Sequence, residues 1–229
     1  MDMGQIIDGA IRLYRLNFGE FLAIAAVTLP LSVVSAIVIG LIDDALIGAI
    51  VTLAFAVPAI AIGLIAQAAL SRSVADIDEG TTPDFNSAYG RVLPRVGRLF
   101  LTALRVAAIV LVLGITVVGI PFAIYFMVRW VFFTQAIAIE NESSSGATDL
   151  SSRIVQGHWW RTLGVLFVLG LLASLPAGAV ALIFSAAAPI AGSLASAVVS
   201  VIALPFSAAA TTLLFFDLQS REREQIGVG

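Results

Sequence analysis

Arg129 is the side chain whose position most needs a chemical explanation. It lies between Val128 and Trp130, about ten residues inside an apolar run that ends near Ile139. An arginine at that depth in a bilayer costs roughly 2.5–3.5 kcal/mol on insertion scales, so it has to face protein or water. Its available partners are Tyr125 one turn away, helix carbonyls freed by prolines, or an anionic ligand such as a lipid phosphate. A pairing that locks helices together is the plainer reading. The sharper one is a site in which the planar guanidinium grips an anion through two parallel hydrogen bonds. Arg91, Arg95, Arg98, Arg153 and Arg161 stand near the ends of other apolar runs and are further candidates for contact with anionic lipid. Arg105, about one and a half turns inside its run, can snorkel to the interface on its long stem.

Most other chemistry is excluded by residue type. The chain has no cysteine and one histidine, so thiolate nucleophiles, disulfides and multi-histidine metal clusters are ruled out. All 12 basic residues are arginines, which removes any phosphate loop built on lysine. His158 stands beside Trp159, Trp160 and Arg161 with no serine nucleophile pattern or metal-ligand spacing around it. The two tryptophans read as anchors at the headgroup level. Glu140, Glu142 and Asp217 read as interface pairs for nearby arginines. We therefore expect no enzymatic activity and no cofactor.

The elements that must position these residues are membrane-spanning helices. Sixty per cent of the chain is hydrophobic before its 19 glycines are counted, against about 45–50% with glycine included in a soluble domain. Six apolar runs reach the length of about 20 residues that a bilayer crossing requires. They run from about Phe21 to Ile42, Ala45 to Leu70, Leu99 to Val118, Pro121 to Ile139, Thr162 to Ser185 and Ile190 to Phe216. Pro30, Pro58, Pro176 and Pro205 lie inside four of them and predict kinks. Such kinks serve packing, or else shape a mid-membrane substrate site as in some transporters. Small residues line one face of the second run (Gly48, Thr52, Ala56, Ala59, Gly63, Gln67) and of the sixth (Gly192, Ser196, Ser200, Ala203, Ser207, Thr211). Close helix packing is the expected use of both faces.

Between the pairs of runs lie three amphipathic segments, which we read as helices in the headgroup plane. The first carries Ile6, Ala10, Leu13 and Tyr14 on its apolar side, and the second Phe85, Ala88, Tyr89, Val92 and Val96 after the Thr82-Pro83-Asp84 start. The third begins near Asp149 and carries Leu150, Ile154 and Trp159. The fold expected is thus all-α, a single integral membrane domain over 1–229 with six spans and three cytoplasmic-side interfacial helices. A threefold repeat of interfacial helix plus helix pair would fall at about 1–70, 82–140 and 147–216, followed by a short tail at 217–229. The alternative is that any six-span chain with short outer turns produces the same rhythm.

Arginine placement orients the chain. Arg12 and Arg15, then Arg72, Arg91, Arg95 and Arg98, then Arg153 and Arg161, then Arg221 and Arg223 fall on one side, and the opposite turns carry only Asp43 and Asp44. Positive charge near span ends stays cytoplasmic, so both termini are expected there. The charged first twenty residues argue against a cleaved signal, and the first run is expected to remain as a span.

Several stretches resemble one family. The opening run from Gly4-Gln5-Ile6-Ile7-Asp8 through Arg12-Leu13-Tyr14-Arg15 to Asn17-Phe18 is similar to the start of bacterial and archaeal proteins related to the glycerophosphoryl diester phosphodiesterase membrane domain. Arg129-Trp130 leading to Ile139-Glu140, the helix from Ser152-Arg153 through Gly157-His158-Trp159-Trp160-Arg161, and the closing Leu214-Phe215-Phe216-Asp217-Leu218 agree with it. The resemblance implies the membrane part only, in the plasma membrane of a prokaryote, with at most an association with lipid or lipid-derived phosphates. The function expected is a non-enzymatic membrane scaffold or anionic-lipid-binding protein at the inner leaflet. Its partners would be membrane lipids, with a second copy or a cytoplasmic protein as further partners and no nucleic acid. The alternative is a small transporter or channel with Arg129 in its pathway.

Overall fold

The computed structural model describes residues 2–185 and 189–227, which are helical with no strand among them. The helices are α1 (Met3–Leu16), α2 (Phe18–Ala26), α3 (Leu29–Gly40), α4 (Ala45–Asp78), α5 (Phe85–Val92), α6 (Val96–Gly114), α7 (Ile120–Arg129), α8 (Phe133–Ala138), α9 (Ser144–Val155), α10 (Trp159–Ser185) and α11 (Pro189–Ile226). A short 3₁₀ turn, Leu93–Arg95, joins α5 to α6. By length and composition five stretches can cross a membrane: Ala45–Asp78, Phe85–Gly114, Ile120–Ala138, Trp159–Ser185 and Ile190–Glu224. The pair α2 and α3 adds a sixth if it counts as one span. The protein is an all-α polytopic membrane protein.

Several boundaries depart from the sequence pattern, each for a local reason. The first apolar run is two helices bent by 45° rather than one continuous helix. Pro30 sits in the first turn of α3, where its missing N–H is harmless, and Thr28 Oγ1 donates to the Ala25 carbonyl at 2.9 Å across the break. Pro58, Pro176 and Pro205 lie inside α4, α10 and α11, which continue through them. The fourth run also breaks, between Arg129 and Phe133, because a side chain replaces a helical bond there. Ser151 Oγ donates to the Arg129 carbonyl at 2.8 Å and accepts from the Phe132 N–H at 3.2 Å. The third amphipathic helix starts at Ser144, earlier than Asp149, because the Ser143 side chain caps it by accepting from the Gly146 N–H at 3.1 Å. It ends before Gly157, whose φ of 82° only glycine adopts freely, so Trp159 belongs to the next helix. The expected tail is helical through Ile226, a continuation of α11. The reversal between the last two runs falls on 186–188, outside the described residues.

All three amphipathic segments are helices, but their apolar stripes face other helices rather than lipid. Ile6 and Ala10 of α1, Ala88 and Val92 of α5, and Ala147, Leu150 and Ile154 of α9 are buried. The first arm packs on α11, the second on α4 and α2, and the third on α8, α11, α6 and α7. An aromatic donor marks the first two dockings, with Tyr14 Oη donating to the Ile202 carbonyl (3.0 Å) and Tyr89 Oη to the Ile24 carbonyl (2.7 Å); Trp159 Nε1, at the start of α10, donates to the Tyr125 carbonyl of α7 (3.3 Å).

The buried core gathers on the side carrying these arms. Leu70, Phe132, Ile137, Ile154, Leu214, Phe215 and Leu218 are almost fully enclosed there. Towards the other side the helices expose their apolar faces, with Leu53 at 72% and Val117 at 83%. The small-residue face of α4 goes unused at Thr52 and Ala59, which are exposed. That of α11 is used: a Cβ on Gly192 would meet the Ala181 carbonyl oxygen at 2.7 Å, so α10 and α11 touch backbone to backbone. The hydroxyls of Ser196, Ser200, Ser207 and Thr211 donate to carbonyls of their own helix.

Candidate functional site

Arg129 ends α7 at the break, so it sits beside α9 and the start of α10 instead of midway along an unbroken span. Its Nη1 donates to Tyr125 Oη at 2.7 Å, the partner one turn away, and its guanidinium lies 5.8 Å from the centroid of the same ring. Tyr125 is held in turn by Trp159, whose ring stacks on it at 6.0 Å and whose Nε1 binds its carbonyl. Among the described residues Arg129 makes no ion pair. A cavity of about 140 Å³ adjoins it, lined by Tyr125, Ser152, Val155, Gln156, Gly157 and Trp159. No carboxylate lines that cavity. At about 30 Å³ of liquid volume per water, it has room for several waters or one compact anion. Arg129, Tyr125, Ser152 and Gln156 offer hydrogen-bond donors from three elements around one small space, which suits a phosphate or carboxylate.

The remaining candidate arginines are largely engaged within the protein. Arg91 Nη1 binds Asp76 Oδ1 at 2.6 Å, and Arg72 Nε binds the same oxygen at 3.0 Å. Arg95 Nη1 donates to the carbonyls of Ile137 (3.2 Å) and Ala138 (2.7 Å), which end α8 and lack a helical partner. Arg98 Nη1 reaches the carbonyls of Asn141 and Glu142 at 3.1 Å each, and its Nη2 reaches Asn141 Oδ1 at 2.8 Å. Asn141 adopts φ 59°, a left-handed conformation asparagine tolerates. Arg161 Nη1 and Arg221 Nε converge on Asp217 Oδ2 at 2.7 and 3.1 Å. Arg153 pairs loosely with Glu222 at 3.4 Å and stays largely exposed. Asp217 thus pairs with arginines as the sequence suggests, whereas Glu140 accepts from Gln219 Nε2 at 2.9 Å. Trp160 is exposed and packs edge-on against the half-buried Trp159.

The structure brings together Arg129 and Trp159 from the sequence candidates, and adds Ser151, Ser152, Gln156 and Gly157. Ser151 and Ser152 lie more than twenty residues downstream, on a polar helix face that reads as solvated. Asp76 is likewise absent from the sequence candidates, although it is nearly buried and anchors two arginines. Its signal is an acidic residue one turn after Arg72, a spacing that pairs side chains along a helix. A second cavity, about 430 Å³, lies between α1, α4 and α11, lined mainly by Leu13, Leu16, Val74, Ile77, Leu213 and Phe216, with Arg12 and Asp78 at its edge. Among the described residues no group of three or more histidine, cysteine or acidic side chains could hold a metal ion. The chain matches no family model, no curated protein and no solved structure.

Proposed function

We propose that this protein is a non-enzymatic scaffold of the inner leaflet that holds an anionic lipid headgroup at Arg129. One observation carries the reading: a guanidinium without a carboxylate borders a small polar cavity beside Trp159. The cavity lies where α9 turns into α10 through Gln156, Gly157 and His158, polar residues suited to the headgroup region. A phosphate there would accept from Arg129 and the neighbouring hydroxyl and amide donors. Its acyl chains would lie along the exposed apolar faces of α7 and α10. The likeness of the opening and closing motifs to the phosphodiesterase membrane domain supports the same chemistry. The setting we propose is the plasma membrane of a prokaryote with both termini cytoplasmic. A second copy or a cytoplasmic protein would dock on the arms.

Lipid mass spectrometry on gently extracted protein tests this. The wild type should retain phosphatidylglycerol or cardiolipin above their membrane abundance, and Arg129→Ala should lose that enrichment. Arg129→Lys should lose most of it as well, because an ammonium cannot make two parallel bonds. Equal lipid content in all three proteins would remove the site. Substrate-dependent flux in liposomes without enriched lipid would favour the transporter reading instead.

A further inference from the structure

We infer that the cavity between α1, α4 and α11 is a second lipid site, which takes a zwitterionic phospholipid with a primary-amine headgroup of the phosphoethanolamine class: Arg12 meets its phosphate and Asp78 its ammonium. The inference does not rest on a ligand at Arg129.

The cavity is graded from polar to apolar along its length. As α1 advances from Gly9 to Tyr14, its contacts on α11 move from Leu213, whose Cδ1 a Cβ on Gly9 would meet at 3.1 Å, to the Ile202 carbonyl at 3.0 Å. The arm therefore descends from the end of α11 that carries Asp217 towards its apolar stretch. Along that descent Gln5 and Arg12 come first in the cavity wall and Leu16, 71% exposed, comes last. The order on α4 agrees, since Val74 is enclosed and Asp78 ends the helix in the open. Charged and amide groups thus stand at the outer mouth, and apolar side chains continue towards the bilayer. An amphiphile lying with its headgroup outward has the same gradient.

Both charges at the mouth are uncommitted. Arg12 and Asp78 line one cavity, are exposed, and make neither an ion pair nor a side-chain hydrogen bond among the described residues. Asp78 also sits in the last turn of α4, where the negative end of the helix dipole disfavours a carboxylate. Its neighbours Asp76 and Glu79 offset that with Arg72 and Arg91, whereas Asp78 has no such partner. Gln5 uses its Oε1 to accept from the Asp2 N–H at 2.7 Å, which leaves its Nε2 to donate. An anion alone would face Asp78 and a cation alone would face Arg12, so the pair selects an occupant carrying one of each. A phosphate accepts from the guanidinium and the amide. A primary ammonium offers Asp78 three N–H donors, which a quaternary one lacks.

The size and the walls fit the same class. At about 430 Å³ the cavity has about three times the space found beside Arg129, so its occupant is larger than a compact anion. Sites for small ligands hold about 300–1,000 Å³ and are lined mostly by apolar side chains, with a few polar groups that fix orientation. Leu13, Val74, Leu213 and Phe216 supply the apolar walls here. An acyl chain laid against them takes that surface out of water. Its far end passes over Leu16 into the bilayer.

The test uses the full chain carrying Arg129→Ala, so that the other site contributes nothing. The protein is reconstituted in nanodiscs of equal phosphatidylethanolamine and phosphatidylglycerol and released gently, and the lipids retained per chain are counted by native mass spectrometry. Phosphatidylethanolamine should be retained several-fold over phosphatidylglycerol. Asp78→Asn should abolish that preference, because Arg12 then meets either phosphate alike. Arg12→Gln should lower retention of both lipids several-fold. Gly9→Leu places bulk in the cavity wall, where its Cβ meets only the far end of the Leu213 side chain, and should lower retention as well. Arg12 and Asp78 are exposed, so their two variants should keep the melting profile of their parent, and they decide the matter should Gly9→Leu fold poorly. Equal retention of the two lipids by the parent protein, or retention that neither charge variant changes, overturns the inference. Whether Arg129→Ala itself costs the wild type its anionic lipid leaves these readings unchanged, so the two proposals fail separately.

Discussion

The two ends of the helices in this protein are held by different means. On the arm side, backbone breaks and helix ends are closed by side chains from distant elements, and ion pairs converge on buried carboxylates. Asp76 gathers Arg72 and Arg91, Asp217 gathers Arg161 and Arg221, and Arg95 ends α8. On the opposite side almost every large side chain is apolar and exposed, as at Leu46, Leu53, Leu111, Val117 and Leu182. Lipid is as apolar as leucine, so exposed leucines drive no association there, and only close backbone packing or hydrogen bonds can. The contrast implies that one end fixes the fold while the other end matches its solvent.

The largest effect should follow from breaking the Asp76 hub. Asp76→Ala leaves Arg91, 45% exposed, without its carboxylate and leaves Arg72, only 12% exposed, with Glu79 alone. Removing one member of a buried pair costs about 3–5 kcal/mol, and the remaining Glu79 contact and the exposure of Arg91 hold this loss to the lower end of that range. Thermal unfolding in mild detergent should show a drop of that order, and Asp76→Asn should recover part of it through its amide oxygen. An unchanged melting profile for Asp76→Ala would break the comparison at its strongest point.

Gly192 tests the exception on the far side. Its absent Cβ lets α10 approach to the Ala181 carbonyl and the Ser185 N–H. Gly192→Ala has backbone rather than a flexible side chain to displace, and overpacking of that kind costs about 1–3 kcal/mol. The expected loss is read from the same unfolding curve. Gly63→Ala, with nothing within 4 Å of the added carbon, should show none of it.

Ser151→Ala should cost about 1–3 kcal/mol, because the Phe132 N–H is left buried without an acceptor. Hydrogen exchange localised to 130–133 would separate this local opening from a global loss.

The sequence pattern makes one of these ends far more legible than the other. Apolar length alone locates α4, α10 and α11, because a span needs only to be long and uncharged. The Arg129–Tyr125 contact is likewise readable, being one helical turn. The break after Arg129 is not, since the residues from Val128 to Ile139 read as a continuous apolar run except for Arg129, Thr134 and Gln135. What interrupts them is a serine on another helix. The stripes of α1, α5 and α9 are visible as periodicity, but periodicity cannot say whether a stripe meets lipid or protein. The burial of Ile6, Ala88 and Ile154 against neighbouring helices supplies that answer. Non-local polar bonds, which distinguish the arm side, are therefore what the pattern hides.

The smallest expected effect sharpens the comparison from its quiet side. Leu53 is 72% exposed on the outer part of α4, so Leu53→Ala removes few protein contacts and leaves no enclosed cavity. A substitution away from buried features is usually within about 0.5 kcal/mol of neutral. Alanine is also the better helix former by a small margin. In lipid bilayers the shortened side chain is replaced by acyl chain, so the melting profile should barely move. Leu214→Ala on the same scale of size, but fully enclosed on the arm side, should cost about 2–5 kcal/mol because a cavity remains. If Leu53→Ala destabilised the protein as much as Leu214→Ala, the outer face of α4 would have to be covered by protein, and a second copy would be its natural occupant.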